Sequence, residues 1–216
     1  MNTDGLPILM PAAAAVFPIE VPVVALIASA GGLEALTRVL SPLPADLPAV
    51  VLIALHQNPT RANELARLLD ARTALPVRAV RDGDRLEGGH VLVIPPGAHM
   101  VVTAAGVLGL IDTGELPPAR PSADLLLATL AVTAGPRVLV VVLSGSGHDG
   151  QAGIRAVHRC GGRVLAQDQA SAGQFGMPSA AIATGLVHAV HPLDELASVV
   201  VETLHLLTVG VTESQR

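Results

Sequence analysis

Val23-Val24-Ala25-Leu26-Ile27-Ala28-Ser29-Ala30-Gly31-Gly32 is the stretch on which the fold turns. Val23 to Ile27 is an unbroken apolar run, the pattern of a strand buried on both faces. Leu33-Glu34-Ala35-Leu36-Thr37-Arg38-Val39-Leu40 then changes to helical spacing, so the chain passes from strand to helix at Ser29. Small neighbours leave the Ser29 hydroxyl clear of bulk, and free N–H groups at a helix start favour an oxyanion. Such a turn suits a serine nucleophile. A serine ahead of a helix is equally an N-cap, and paired glycines are equally a tight turn. Ile27 stands where glycine would be needed to complete a G-x-S-x-G nucleophile elbow.

Outward from this turn, strand and helix patterns alternate. Residues 49–55 read as a second buried strand ending at His56, and Asn58-Pro59-Thr60 opens a helix carrying Leu65, Leu68 and Leu69. Residues 76–80 form a short strand, 81–85 a polar turn, and the strand from His90 is stopped by Pro95-Pro96-Gly97. Residues 100–103 and 107–111, separated by Ala104-Ala105-Gly106, predict a β-hairpin. Residues 117–121 are a loop, and Ser122-Ala123-Asp124 caps a helix through Thr133. The strongly apolar strand 138–143 leads into Ser144-Gly145-Ser146-Gly147-His148-Asp149-Gly150 and a helix reaching Cys160. A strand at 163–167, a helix from Gly176 to Thr184, a short strand at 186–190 and a helix at 193–207 complete the series. The alternation predicts an α/β fold with a doubly wound, mostly parallel sheet, helices on both faces and a β-hairpin insertion. Ligands belong beyond the carboxyl ends of its strands. The folded body is expected over residues 23–209, between a flexible lead at 1–22 and a frayed tail at 210–216.

The totals agree with one domain. Of 216 residues 50% are hydrophobic but only 1% aromatic, with Phe17 and Phe175 alone, so the core must be built from Val, Leu, Ile and Ala. Scarce aromatics and a formal net charge of -5 argue against a nucleic-acid partner. Cys160 is the single cysteine, which excludes an internal disulfide and a cysteine-based zinc site and suits a small buried side chain. The apolar stretch 9–19 has Asp4 rather than a basic head, and Pro11, Pro18 and Pro22 interrupt it before a membrane-spanning length. A soluble, cytoplasmic protein without membrane insertion is expected.

Ser29, His56 and Asp149 each follow an apolar strand directly or within one loop. On one sheet edge they could form a triad in which imidazole takes the serine proton and carboxylate orients the imidazole. That pattern is defined by geometry rather than spacing. His99 after the Pro-Pro-Gly turn suits either the edge of a cleft or packing of the turn, and His148 is expected to point away from its neighbour Asp149. His90, His158, His188, His191 and His205 lack ligand spacing, so neither a metal nor a cofactor is expected. Arg120 could meet substrate carboxylates or cap a helix end.

Taken together, the stretch from Val24 to Gly32, His56 followed by Pro59, Pro95-Pro96-Gly97-Ala98-His99-Met100, Arg120-Pro121-Ser122-Ala123-Asp124, Leu143 to Gly150, and Gln167-Asp168 with Gly176-Met177-Pro178 resemble the CheB-type chemotaxis protein-glutamate methylesterases. These motifs run in family order over residues 23–205. The resemblance implies a Rossmann-like catalytic domain that hydrolyses γ-glutamyl methyl esters on chemoreceptors and in many members deamidates receptor glutamines. It implies Ser29 as nucleophile, His56 as general base and acid, and Asp149 as the orienting carboxylate. Ala30 and Ser146 stand where many members have Thr and Met, a variation similar to methylesterase domains fused to methyltransferases. The stretch before Val23, about two dozen residues, is too short for the family's receiver domain, so control by a regulatory partner, or constitutive low activity, is expected in its place.

Other readings stay open at this level. Gly145, Gly147 and Gly150 match G-x-G-x-x-G between strand and helix, with Asp168 at the end of the next strand, the fingerprint of a dinucleotide-binding Rossmann protein. Against it, Asp149 would set a carboxylate in the turn that must approach a pyrophosphate, and few strands follow. A non-catalytic receptor-binding module of the same fold would need none of Ser29, His56 and Asp149. Ser29 Oγ and His56 beyond reach of a hydrogen bond would favour the binder, allowing for loose geometry without substrate.

Overall fold

The computed structural model describes residues 17–58, 64–112 and 120–213. In these the elements run β1 (Val23–Ala28), α1 (Gly32–Leu40), β2 (Val50–Leu55), α2 (Leu65–Asp70), β3 (Val77–Ala79), β4 (Val91–Val93), β5 (Ala98–Val102), β6 (Leu108–Asp112), α3 (Ala123–Ala134), β7 (Val138–Val142), α4 (Gln151–Arg159), β8 (Arg163–Gln167), α5 (Gly176–Ile182), β9 (Ala189–His191) and α6 (Leu196–Glu213). The helix start expected at Pro59-Thr60 and the loop at 117–119 lie outside the described residues.

Seven strands form one sheet in the order β3-β4-β2-β1-β7-β8-β9, and every neighbouring pair is parallel. The order reverses between β1 and β7: from β1 the chain moves outward to β2, and from β7 it moves the other way to β8. A crevice therefore opens at the carboxyl ends of β1 and β7, where open α/β sheets hold their ligands.

Side-chain alternation along β1 explains the two layers. Val24, Leu26 and Ala28 point into a core with α1, α2 and α6, through residues such as Leu36, Leu69 and Val200. Val23, Ala25 and Ile27 point to the opposite core with α3, α4 and α5, through Leu127, Ile154 and Met177. Covering both faces is what lets β1 be wholly apolar, with all six residues buried.

The antiparallel pair β5 and β6 stands apart from the main sheet and packs on α3, where the Val102 N–H donates to Thr129 Oγ1 at 3.1 Å. Residues 17–22, expected within a loose lead, are docked instead. Ile19 is buried beside α3, and its N–H donates to Thr133 O at 3.2 Å, because a large apolar side chain at that point covers the exposed side of α3. At the other end, β9 begins later than expected, after the Gly185 turn. Helix α6 follows a short 3-10 turn at Leu193–Glu195 and runs to Glu213, past both the expected end at Leu207 and the start of the expected tail.

Candidate active site

The register of β1 and β2 brings Ser29 and His56 together. Ala28 pairs with Leu55 as the last couple of the ladder, and the His56 N–H continues it by donating to Ala28 O at 2.9 Å. Ser29 and His56 are thus the next residues on adjacent strands, which run about 4.8 Å apart. Both line one open cleft of about 1220 Å³ that runs between α1 and α2 and includes Ala30, Gly31, Leu65 and Arg72. Ser29 does not cap α1: the cap position is Gly31, with no side-chain hydrogen bond, and the Ser29 N–H is held by Ser144 O at 3.0 Å. Its side chain is left for the cleft.

Asp149 arrives from the other side of the crevice on the loop after β7. Gly147 and Gly150, at φ 94° and 103°, give that loop the bends that carry Asp149 back toward β2. Its Oδ2 lies 2.9 Å from His56 Nε2, and both side chains are mostly buried. The same carboxylate sits on the start of α3, where Oδ2 accepts from the Ala123 N–H at 2.7 Å and Oδ1 from the Asp124 N–H at 3.1 Å. These are amides that a helix leaves unpaired, at the positive end of its dipole. Burial pushes the Asp149 carboxyl up, but hydrogen bonds from His56, Ala123 and Asp124, with the attraction of His56, more than reverse this and hold it below the ordinary carboxylate range. An ionised carboxylate only accepts, so His56 Nε2 carries the proton and Nδ1 keeps an accepting lone pair. No hydrogen bond joins Ser29 Oγ to His56 among the described residues; such contacts commonly tighten only when substrate binds.

Two supports of Asp149 were not foreseen as such. Ser122 caps α3, accepting from the Leu125 N–H, as the pattern implied. The Ser122 N–H, in turn, donates to Nδ1 of His99 at 2.9 Å. His99 lies within β5 rather than on a turn, buried, so the hairpin fixes the helix end that holds Asp149. Burial, then the nearby Arg120 guanidinium, keeps the His99 imidazole below its ordinary value against an opposing pull from Asp149. Arg120 is itself buried, and Asp124 ties α3 to α4 by accepting from the Gly153 N–H at 2.8 Å. The signal for this cradle was the Ser-x-Asp start of α3; what pattern alone omits is which side chain comes to rest on it.

His148 is exposed, while its neighbour Asp149 turns inward to His56. The glycine turn at 145–150 opens α4, yet its carboxylate faces α3 and His56 instead of leaving room for a pyrophosphate. Among the described residues no group of three or more His, Cys, Asp or Glu side chains is placed to hold a metal, and no helix is long and apolar enough to cross a membrane.

Comparison with known proteins gives the family. The family model described as CheB methylesterase matches residues 24–200. The protein-glutamate methylesterase/protein-glutamine glutaminase of Bordetella parapertussis is 43% identical over 174 residues, covering 79% of this chain and 49% of the relative. The protein of the same name from Moorella thermoacetica is 41% identical over 183 residues, covering 83% and 43%. The chain thus spans about half the length of the curated relatives it matches. The crystal structure of the Thermotoga maritima CheB methylesterase catalytic domain superposes with a TM-score of 0.81 at 28% identity, covering 86% of this chain and all of that one. The parallel sheet, the order of its motifs and these matches together place the chain in the CheB methylesterase family.

Proposed function

We propose that this chain is a serine hydrolase that removes methyl groups from γ-glutamyl methyl esters on methyl-accepting chemoreceptors. The observation that carries the reading is the part-buried His56–Asp149 pair at 2.9 Å, whose His56 lines the same cleft as Ser29. A binding module has no use for a carboxylate cradled by a helix end solely to orient an imidazole.

In the first step the Ser29 hydroxyl oxygen attacks the ester carbonyl carbon while its proton passes to His56 Nδ1. The tetrahedral oxyanion collapses, the C–O bond to the methoxy group breaks, and the His56 proton leaves with it as methanol. Water then attacks the acyl-enzyme, giving its proton to His56, which returns it to Ser29 Oγ as the acyl C–O bond breaks and the receptor's γ-carboxylate is released. Asp149 does not change protonation state; it holds the ring and favours the imidazolium. Deamidation of receptor glutamines is the companion reaction, since a primary amide gives the same acyl-enzyme with ammonia as leaving group. The site residues are Ser29, His56 and Asp149, in a protein working in the cytoplasm. Control of this activity by a regulatory partner belongs to the same reading; full activity of the isolated chain without an activator overturns that part.

Labelling with a fluorophosphonate tests the nucleophile directly. The reading expects one phosphonyl group on the peptide containing Ser29, and labelling that collapses in His56→Ala. Modification of another serine, or labelling indifferent to His56, would overturn it.

A further inference from the structure

The turn from Ser29 to Gly32 belongs to a pair of forms that differ by a flip of the central peptide. Gly31 has φ 75° and ψ 0°, and the Gly32 N–H donates to Ser29 O at 2.9 Å, which is the second central position of a type II turn. In the type I form the Ala30–Gly31 peptide is turned over, exchanging the sides to which Ala30 C=O and Gly31 N–H point. The peptide is trans, so these groups stay antiparallel, and fixing one fixes the other.

Ser144 supplies that fixing. It follows β7 at the crevice, is 1% exposed, and does not line the cleft, whereas Ala30 and Gly31 do. Its N–H donates to Gln167 Oε1 at 2.8 Å and its carbonyl accepts from the Ser29 N–H, so the residue is clamped through its backbone. Its Oγ accepts from the Gln174 N–H at 3.0 Å and stands 2.8 Å from Ala30 O. A hydroxyl has one proton, and the Gln174 amide can only donate, so that proton goes to Ala30 O. The Ala30 carbonyl is thereby directed at Ser144, which is not part of the cleft lining, and the Gly31 N–H to the opposite side of the peptide. A Cβ on Gly31 would lie 2.7 Å from Ser144 Oγ, which shows how closely the two are fitted.

We propose that Ser144 is a positioning residue, whose hydroxyl locks the Ala30–Gly31 peptide in the orientation that offers the Gly31 N–H to the oxyanion formed at Ser29. The inference rests on the acyl-transfer reading and adds to it a named oxyanion donor and the side chain that holds it. Ser144 itself touches no reacting atom and exchanges no proton with substrate.

The test is steady-state methanol release by the full chain and its Ser144→Ala and Ser144→Thr variants, with thermal melts to confirm folding. Removing a whole oxyanion donor lowers kcat by about 100- to 1000-fold, and freeing the peptide to sample both forms costs less. Ser144→Ala is expected to lose about 10- to 100-fold in kcat with KM nearly unchanged, and Ser144→Thr, which keeps the hydroxyl, to recover most of it. A folded Ser144→Ala chain with wild-type kcat, or equal losses in both variants, overturns the inference while leaving the esterase reading intact. A wild-type chain inactive on the ester removes the reading, and the inference with it. Should Ser144→Ala fail to fold, the amide proton of Gly31 in the wild-type chain phosphonylated at Ser29 decides. It is expected to move strongly downfield on adduct formation, and a resonance that stays in place overturns the assignment.

Discussion

The Asp149 carboxylate accepts three hydrogen bonds, and they are divided unequally: His56 and Ala123 share Oδ2, while Asp124 has Oδ1. An asparagine offers one accepting oxygen, so Asp149→Asn must leave either the Asp124 N–H or the His56 and Ala123 donors facing an NH2 group. A buried donor without its acceptor costs about 1–3 kcal/mol. The variant is expected to stay folded with that loss in urea titration, and to lose about 1000- to 10000-fold in kcat, since the imidazole loses its orientation and charge partner. A wild-type rate would remove Asp149 from the mechanism. Gly31 responds differently. Its positive φ strains any L side chain, and the added methyl meets Ser144 Oγ, so Gly31→Ala is expected to cost about 1–3 kcal/mol in stability. Relief of that strain by flipping the peptide would withdraw the oxyanion donor, so its kcat is expected to fall with KM held; unchanged kcat would contradict this account of the turn.

Helix α3 acts as the foundation of the site, through the amides of Ala123 and Asp124. It is located by close approach to α4, where a Cβ on Gly153 would stand 2.5 Å from Leu127 Cβ. Gly153→Ala is expected to push the helices apart, at about 1–3 kcal/mol by chemical denaturation, and to lower kcat although Gly153 lies outside the cleft. An unchanged kcat would show that the position of α3 does not matter to Asp149. The same element shows what was legible in the sequence and what was not. Apolar runs such as 138–142 and the helical spacing after Ser29 and Ser122 announce the alternation, because a strand covered on both faces has no polar position to spare. The placement of Ser29 and His56 at strand ends is legible too; that these two strands are neighbours is not, and comes from the sheet order. Three contacts are not legible either. His99 to Ser122, Asp149 to α3 and Ser144 to Ala30 join residues far apart in the chain through directional bonds that leave no period in composition. The docking of Ile19 likewise depends on a surface that only the assembled helices present.

At the level of the whole molecule, His99 and His188 are folded into neutral roles. Each accepts a backbone N–H on Nδ1, from Ser122 at 2.9 Å and Val164 at 3.1 Å, joining the hairpin to α3 and the β9 edge to β8. Burial lowers both below the ordinary 6.5, assisted by Arg120 at His99 and by Arg163 and His158 at His188. Unfolded, these rings bind protons more readily than they do folded, so their contribution is complete above 6.5 and is lost as pH falls through the lower folded values. Thermal melts from about pH 8 to about pH 5 are expected to show Tm falling on the acid side, with a smaller fall in His99→Gln. A flat profile would contradict the neutral assignment. The claim on which the rest depends is that the crevice at the sheet's reversal point is a serine esterase. Methanol release from methylated chemoreceptors, measured with the wild-type chain and Ser29→Ala side by side, tests it most directly. The account predicts release by the wild-type chain that vanishes with the substitution; equal release from both, or none from either, would contradict it.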